Sequence, residues 1–271
     1  MRLVTVRTDG AATAAGRLDG EDVVLLDAPD VGALLARHAA GERVAETGLR
    51  VPRAGASLAP VVPRPRKIVC VGLNYRNHIL EMGRELPEYP TLFAKFDRTL
   101  TGPFDDLVLP AESDRVDWEA ELTVVIGRTA RRVAEADALD AVAGYTVAND
   151  ISMRDWQNRT VEWLQGKAFE ASTPLGPELV TADEIDVADL DLRCEVNGTV
   201  MQQSRTSQLV FGPAALVSFI STIVTLDPGD LILTGTPGGV GQARTPPVFL
   251  QRGDEVRTTV EGIGALVNRC V

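Results

Sequence analysis

Residues 116–127 read VDWEAELTVVIG, and this stretch decides the fold class. If it is one strand, its side chains alternate between the two faces of a sheet, and Trp118 shares a face with the aliphatic residues. Glu119 and Glu121 then point together from the opposite face. They lie about 7 Å apart along such a strand, which lets both carboxylates reach one hard cation. The alternative for an isolated pair of this kind is the solvated face of an edge strand.

A third carboxylate follows a neighbouring apolar segment. Residues 143–149 predict a strand, and Asp150 stands directly after it, where a rigid sheet commonly positions functional loops. Three carboxylates without cysteine or imidazole are typical of a site for Mg²⁺ or Mn²⁺ that keeps open positions for water, with Ca²⁺ as the alternative. The sequence therefore predicts a metal site formed by Glu119, Glu121 and Asp150.

The segments around this stretch predict more strands than helices. A helix is predicted at 31–40 with Asp30 as its N-cap, and another begins at Pro213. Because the strands do not alternate regularly with helices, an α+β fold is favoured over a doubly wound α/β fold. The predicted strands are 3–6, 23–26, 67–72, 143–149, 192–196, 231–234 and 254–260, and a short helix is predicted at 134–142.

The chain divides near residue 60. A length of 271 residues suits one large unit or a large domain with a small one. Between residues 50 and 67 the periodicity disappears and four prolines gather, which is typical of an extended connector. We predict a small N-terminal α+β domain over 1–60 and a larger domain over 61–271, which contains the three carboxylates.

Composition excludes several classes of partner and site. The chain carries 27 Lys and Arg against 38 Asp and Glu, a net charge of −11, so we expect no nucleic acid and no anionic membrane as partner. The absence of a long apolar stretch and of a signal-type N-terminus predicts a cytoplasmic protein. Three cysteines and two histidines are too few for a sulfur or histidine-rich metal site, so oxygen ligands are expected.

A second polar cluster, GLNYRNHILE at residues 72–81, directly follows the predicted strand at 67–72. If residues 75–82 are helical, His78 and Glu81 share a face, and the carboxylate can orient the imidazole as a general base. The alternative is an ordinary surface pair. The functional interpretation is favoured only if the metal carboxylates lie nearby.

The glycine-rich run LTGTPGGVG at residues 233–241 does not match a phosphate loop, because no Gly-Lys-Ser/Thr follows it. Its backbone N–H groups and the Thr236 hydroxyl could bind a ligand carboxylate, and a tight structural turn is an equal alternative.

Lys95 and Lys167 stand among apolar residues. A lysine beside a metal would hold a substrate carboxylate or an enolate oxygen, whereas the alternative is a snorkelling surface lysine.

Together these segments resemble the fumarylacetoacetate hydrolase family. The motifs occur in the family's order from about residue 67 to residue 268, and the ordered set is specific although no single motif is. The segments that carry the resemblance are 72–81, 93–95, 116–122, 149–155, 166–167, 174–177, 228–230 and 234–237. One departure is Glu170, where members of the family commonly have Asp.

The resemblance implies a β-rich, mixed-sheet roll for the larger domain, a homodimer and one divalent cation per active site. It implies metal ligation by the three carboxylates named above and a catalytic dyad of His78 and Glu81, on a segment that becomes ordered over the substrate. The implied substrate contacts are Lys167 and Thr236, with Tyr75, Arg76, Lys95 and Gln242 as further candidates.

The resemblance also implies the reaction class. We expect a metal-dependent hydrolase that cleaves a carbon–carbon bond in a small 2,4-dioxo acid, an acylpyruvate or fumarylpyruvate, through an enolate stabilised by the cation and Lys167. Hydrolysis is favoured because the dyad His78 and Glu81 is complete. The alternatives are an isomerase or decarboxylase of a related oxo acid, such as 2-hydroxyhepta-2,4-diene-1,7-dioate or oxaloacetate, or a non-catalytic ligand-binding descendant.

Overall fold

A computed structural model describes residues 1–8, 12–81, 83 and 85–271, without the side chains of His78 and Glu81. Its strands are β1 (Arg2–Arg7), β2 (Thr13–Asp19), β3 (Asp22–Leu26), β4 (Glu46–Pro52), β5 (Ile68–Gly72), β6 (Thr91–Lys95), β7 (Leu100–Thr101), β8 (Val116–Asp117), β9 (Ala120–Ile126), β10 (Val142–Asn149), β11 (Ser152–Met153), β12 (Thr173–Thr181), β13 (Asp191–Val196), β14 (Thr199–Arg205), β15 (Leu231–Leu233), β16 (Glu255–Val260) and β17 (Gly264–Arg269). Its α-helices are α1 (Val31–Ala39), α2 (Arg76–Glu81), α3 (Arg154–Gln157), α4 (Leu164–Lys167) and α5 (Pro213–Ile223).

The strands form two main sheets. Within the described residues, the larger sheet has eleven strands in the order β4-β3-β2-β1-β12-β10-β9-β15-β5-β6, with β7 beside β12. It is mixed, because β15 runs parallel to β5 and antiparallel to β9. The second sheet has the order β14-β13-β16-β17 and is antiparallel. The predicted α+β fold, a β-rich roll of mixed sheets, is confirmed.

The N-terminal strands continue the larger sheet. β1 pairs antiparallel with β12, so β1 to β4 extend the sheet that also contains β9 and β10. The division at residue 60 stays a prediction. The first and second parts of the chain are joined by backbone hydrogen bonds within one sheet.

Strand β9 lies at the centre of the protein, and all seven of its residues are buried. Leu122 and Val124 pack into one hydrophobic cluster, while Val125 packs into a second cluster with Ile68. Each large apolar side chain buried in this way contributes about 1.5 to 3 kcal/mol to stability. Since β9 is flanked by β10 and β15, and since Glu119 and Glu121 are both buried, the alternative of a solvated edge strand is wrong.

The interpretation of residues 116–127 as one strand is also wrong. β8 pairs with β11 in a separate two-stranded sheet, and the chain leaves extended pairing at Trp118 before β9 begins. The Asp117 carboxylate accepts hydrogen bonds from the backbone N–H groups of Trp118 at 2.8 Å and Gly241 at 2.6 Å. Such local side-chain bonds compete with a sheet ladder, and here they turn the chain into the larger sheet.

The helices largely follow the predictions. Asp30 caps α1 by accepting the backbone N–H of Ala33 at 2.8 Å, and α5 begins at Pro213. The predicted helix at 75–82 corresponds to α2, with Met82 outside the described residues. The segment Glu135–Ala141 is a 3₁₀-helix. Among the described residues, no helix has the length and apolar character needed to cross a membrane.

Candidate metal centre and catalytic cavity

The three predicted metal ligands meet in the interior. In the antiparallel pair of β9 and β10, Asn149 is opposite Ala120, so Glu119 and Asp150 come next to each other at the ends of the two strands. One carboxylate oxygen from each of Glu119, Glu121 and Asp150 lies within 4.8 Å of the others. All three residues are buried. The register of two neighbouring strands therefore brings the predicted carboxylates together.

Two buried lysines neutralise part of this acidic cluster. The Lys167 ammonium lies 2.7 Å from a Glu119 oxygen and 2.9 Å from an Asp150 oxygen, and the Lys95 ammonium lies 2.6 Å from the other Asp150 oxygen. Burial opposes ionisation of Asp150, but Lys167 and Lys95 outweigh it and lower the pKa of this carboxyl. Because neither lysine side chain is more than 2% exposed, the snorkelling alternative is wrong for both.

Glu121 has no cationic side chain within hydrogen-bonding distance among the described residues. It accepts a backbone N–H from Gly235 at 2.6 Å. Burial and the negative charges of Asp150 and Glu119 raise its pKa well above the ordinary carboxyl value. The three buried carboxylates bring their oxygens close together, and Glu121 has no cationic side chain beside it among the described residues. Such a set of oxygen ligands suits a divalent hard cation, so these residues fit the predicted metal.

Arg154 joins the cluster from α3, and sequence reasoning missed its role. Its guanidinium donates to Asp117 at 2.8 Å and Gln157 at 2.8 Å, and its Nη1 is 2.6 Å from Glu119. Its Nη2 is buried and has no hydrogen-bond partner among the described residues. Arg154 stands four positions after Asp150 in the sequence, and that placement after a strand end was the available signal.

A cavity of about 330 Å³ opens beside the carboxylates. One wall is polar and includes Glu119, Arg154 and Lys167. Another is apolar and includes Phe93 and Trp163. The remaining lining residues are Val71, Gly72, Leu73, Gln157, Asn158, Thr236, Val240, Gln242 and Ala243.

The structure brings some predicted substrate contacts to this cavity. Lys167, Thr236 and Gln242 line it. Lys95 lies against Asp150 and is not among the described lining residues. Tyr75 is buried with its hydroxyl unpartnered among the described residues, and Arg76 is exposed; the cavity lining includes neither of them. Their roles as substrate contacts stay predictions.

The predicted dyad falls on α2. This helix begins four residues after Gly72, which lines the cavity. The side chains of His78 and Glu81 lie outside the described residues. Their catalytic role therefore stays a prediction.

The glycine-rich loop supports the carboxylates directly. Gly235 has a φ of +98°, and a Cβ there would meet the Val71 carbonyl oxygen at 2.8 Å, so only glycine fits. Its N–H donates to the protein's own Glu121 carboxylate, so this N–H has a structural role, which was one of the two alternatives for the loop. The Thr236 hydroxyl accepts a hydrogen bond from Gln202 at 2.8 Å.

The fold is a strand-rich roll of mixed sheets, and it places a buried carboxylate triad beside a cavity. This arrangement is typical of an enzyme with an acidic metal site. The chain belongs to the fumarylacetoacetate hydrolase family, since residues 67–271 match the family model for the fumarylacetoacetate (FAA) hydrolase C-terminal region.

Relatives and solved structures agree with this membership. "Oxaloacetate tautomerase Fahd2a, mitochondrial" from Rattus norvegicus is 47% identical over 82% of this chain and 71% of its own length. The fumarylacetoacetate hydrolase from Exiguobacterium antarcticum superposes with a TM-score of 0.90 at 31% identity, covering 100% of this chain and 99% of its own. A 5-carboxymethyl-2-hydroxymuconate delta-isomerase from Mycobacterium smegmatis superposes with a TM-score of 0.83 at 39% identity and the same coverage.

Proposed function

We propose that this protein is a divalent-metal-dependent tautomerase of a small 2-oxo dicarboxylic acid, with oxaloacetate as the first candidate. The observation that carries the proposal is the buried triad of Glu119, Glu121 and Asp150 beside a cavity that also holds Lys167 and Arg154. Relatives named as a tautomerase and an isomerase favour proton transfer over the hydrolysis expected from the sequence.

The triad would hold Mg²⁺ or Mn²⁺, and Ca²⁺ is chemically compatible. The bound cation would supply Lewis acidity that stabilises negative charge on the substrate oxygens. Lys167 contributes from the cavity wall. Burial disfavours its charge, but Asp150 and Glu119 outweigh burial and raise its pKa, so it is an ammonium. It is therefore suited to donate a hydrogen bond to an oxygen that gains charge.

Arg154 explains why a dicarboxylic acid suits the cavity. Its charge is held in place by Asp117 and Glu119, and its Nη2 has no partner among the described residues. A substrate carboxylate at the polar wall would satisfy this donor. Gln157 and Gln242 on the same lining offer further hydrogen bonds.

Tautomerisation moves one proton and consumes no water. A base removes a proton from C3 of the 2-oxo acid, and the C2 oxygen gains a proton to give the enol; the reverse sequence restores the keto form. We assign the base to His78, oriented by Glu81, because their spacing on a helix allows this pairing. α2 carries both residues and begins close in sequence to the cavity wall.

Carbon–carbon bond hydrolysis is the second candidate, and the spacing of His78 and Glu81 favours it. The same base would deprotonate a water that attacks the 4-carbonyl of an acylpyruvate, and the bond between C3 and C4 would break to give pyruvate enolate and an acid. Decarboxylation of oxaloacetate and non-catalytic ligand binding are the remaining alternatives. The products distinguish these reactions.

The test follows the ultraviolet absorbance of enol-oxaloacetate with Mg²⁺ present, in buffer alone and with protein. We expect the protein to accelerate the loss of enol, and we expect E119Q to lose at least about 100-fold of this acceleration. The matched control is E135Q, on the exposed 3₁₀-helix, which should behave as wild type. No acceleration by wild type would refute the tautomerase proposal, and pyruvate release from an acylpyruvate would favour hydrolysis instead.

A further inference from the structure

The apolar end of the cavity is formed by an aromatic pair that the proposed chemistry does not use. Phe93 and Trp163 both line the cavity, and their rings meet edge to face with centroids 5.6 Å apart. Phe93 comes from β6. Trp163 comes from the segment between α3 and α4, whose residues 158–162 are exposed on the outside of the protein. Asn158 of this segment also lines the cavity, so the aromatic pair forms the apolar part of the lining next to a surface segment.

The pair lies close to the reacting end of the cavity. The Lys167 ammonium is 5.3 Å from the centroid of the Phe93 ring and 2.7 Å from Glu119. A ligand whose head group occupies the space beside the carboxylates would thus direct its tail toward these rings. The ring of Trp163 packs against Phe93, with the two centroids 5.6 Å apart.

Gly72 determines where the Trp163 ring can lie. A Cβ at Gly72 would meet the Cζ3 of Trp163 at 2.2 Å and its Cη2 at 2.8 Å, and the three nearest atoms all belong to this ring. The φ of Gly72 is not in the left-handed region, so its backbone conformation is open to alanine. The absence of a side chain at Gly72 serves the tryptophan rather than a turn.

We propose that Trp163, seated on Gly72 and against Phe93, closes the apolar end of the cavity and limits the chain length of the 2-oxo acid that binds. The proposal rests on the proposed function for the 2-oxo acid head group. It adds a residue that decides the length of the tail. A cavity of about 330 Å³ leaves room for a small ligand with this ring in place, and a shorter side chain would open the cavity toward the exposed segment.

The first experiment measures binding by calorimetry, with Mg²⁺-loaded protein and unbranched 2-oxo acids from pyruvate to 2-oxooctanoate. We expect wild-type affinity to fall at the longer acids. W163A should bind 2-oxooctanoate at least about tenfold more tightly than wild type does, because one or two methylenes at a tight wall are worth this much. W163F keeps a ring at this position, so its affinity should fall with chain length nearly as it does in wild type. Identical chain-length profiles for wild type and W163A would overturn the proposal.

Trp156 provides the matched control. It is a half-buried tryptophan on the neighbouring helix α3, packed against Phe169 with ring centroids 5.4 Å apart, and it is not among the described lining residues. W156A should keep the wild-type chain-length profile. If W156A and W163A shift the profile equally, the effect is a general loss of packing and the proposal is wrong. W163L replaces W163A if circular dichroism shows that W163A is unfolded.

A double-mutant cycle tests the contact between Gly72 and Trp163 without any activity. G72A alone should lower the thermal midpoint and alter the chain-length profile, because its methyl group displaces the ring. In the W163A background, G72A should lower the thermal midpoint only slightly, since the ring that conflicts with its methyl group is absent. Equal costs of G72A in both backgrounds would contradict the seating of Trp163 on Gly72 and overturn the proposal.

The failure of this proposal and that of the proposed function are distinguishable. If wild type does not accelerate tautomerisation but W163A extends the chain-length profile, the function is wrong and the length limit stands. If wild type is an active tautomerase and the profile does not change in W163A, the length limit is wrong and the function stands.

Discussion

Among single residues, the proposed metal site places several charged side chains in the protein interior. Glu119, Glu121 and Asp150 would repel each other inside a protein, and each can be ionised there only with compensating charge nearby. The cluster has four carboxylates and three cations, so with every group ionised one negative charge remains for a bound metal to offset. The carboxylates are Asp117, Glu119, Glu121 and Asp150, and the cations are Lys95, Arg154 and Lys167.

The metal affinity should depend on pH through Glu121. Its pKa is raised by burial and by Asp150 and Glu119, so it keeps a proton at pH values where an ordinary carboxyl is ionised. A proton and a cation compete for this carboxylate, so affinity is full above the raised pKa and falls as the pH drops through it. Calorimetric titration with Mg²⁺ in two buffers of different ionisation enthalpy should show proton release.

The E121Q variant is the control for this pH dependence. Its amide keeps an oxygen that can accept the Gly235 N–H but has no proton to release. It should bind Mg²⁺ more weakly and without the proton release that wild type shows. Binding without proton release in wild type, at an affinity that stays constant on acidification, would contradict the assignment.

Lys95 should stabilise the protein most when no metal is bound. Its side chain and that of Asp150 are fully buried, and removing one partner of a buried ion pair typically costs about 3 to 5 kcal/mol. We expect K95M to lower the free energy of unfolding by about 3 kcal/mol, as measured by urea denaturation. Added Mg²⁺ should stabilise K95M more than wild type, because the cation offsets the buried charge of Asp150 that Lys95 no longer compensates.

The exposed pair of Arg205 and Asp189 offers a comparison for Lys95. R205M should change the free energy of unfolding much less than K95M, because solvent screens a surface pair. Equal losses for R205M and K95M, or a K95M protein as stable as wild type without metal, would contradict the charge-compensation account.

Residue patterns located the ligands better than they located the other groups of the cavity. Glu119, Glu121 and Asp150 were predictable because carboxylates at strand spacing and at a strand end are a local signal. Arg154 and Trp163 could not be assigned in this way, because their positions depend on contacts with residues far away in the sequence, Asp117 for Arg154 and Gly72 for Trp163. Lys95 was expected at the substrate, and its burial against Asp150 depends on strand order rather than on neighbouring residues.

At the scale of elements, local chemistry and the sheet pattern disagree where β8 meets β9. The alternation in residues 116–127 predicts one strand, but the Asp117 carboxylate binds backbone N–H groups at Trp118, Gly241 and Gln242. The bonds from Gly241 and Gln242 have partners far along the chain, so the sequence pattern could not reveal them. By contrast, Asn197-Gly198 is a hairpin signal carried by two adjacent residues, and in the structure both have positive φ and join β13 to β14.

Helix α1 provides an element-scale prediction. Asp30 caps it through the Ala33 N–H, so D30A should lower the free energy of unfolding by about 1 kcal/mol. D30N keeps the accepting oxygen and should lose much less. Both stabilities can be measured by urea denaturation. A D30N protein that loses as much as D30A would show that the hydrogen bond at the cap is not the cause.

Strand β12 could not be predicted from its local sequence pattern. Its sequence TPLGPELVT contains two prolines and a glycine, residues that argue against a strand inside a sheet. It nevertheless lies between β1 and β10 and connects the N-terminal strands to the rest of the sheet. Only the tertiary pairing with Leu3 and Tyr145 on its two sides explains its extended form.

At the scale of the whole molecule, we propose that two copies of the chain form a homodimer, as the family resemblance implies. Light scattering coupled to size-exclusion chromatography should give twice the 29.1 kDa of one chain. A mass equal to one chain at micromolar concentration would contradict this.

The expected cytoplasmic location also stays a proposal, since the rat relative is named as mitochondrial.

We expect one divalent cation to be held by Glu119 and Glu121, at the start of β9, and by Asp150, directly after β10. The most direct measurement is a crystal structure of the protein soaked with Mn²⁺, with anomalous scattering recorded at the manganese edge. We expect one anomalous peak per chain, in contact with Glu119, Glu121 and Asp150. A peak bound elsewhere, or a saturating soak that leaves these three carboxylates without a peak, would contradict it.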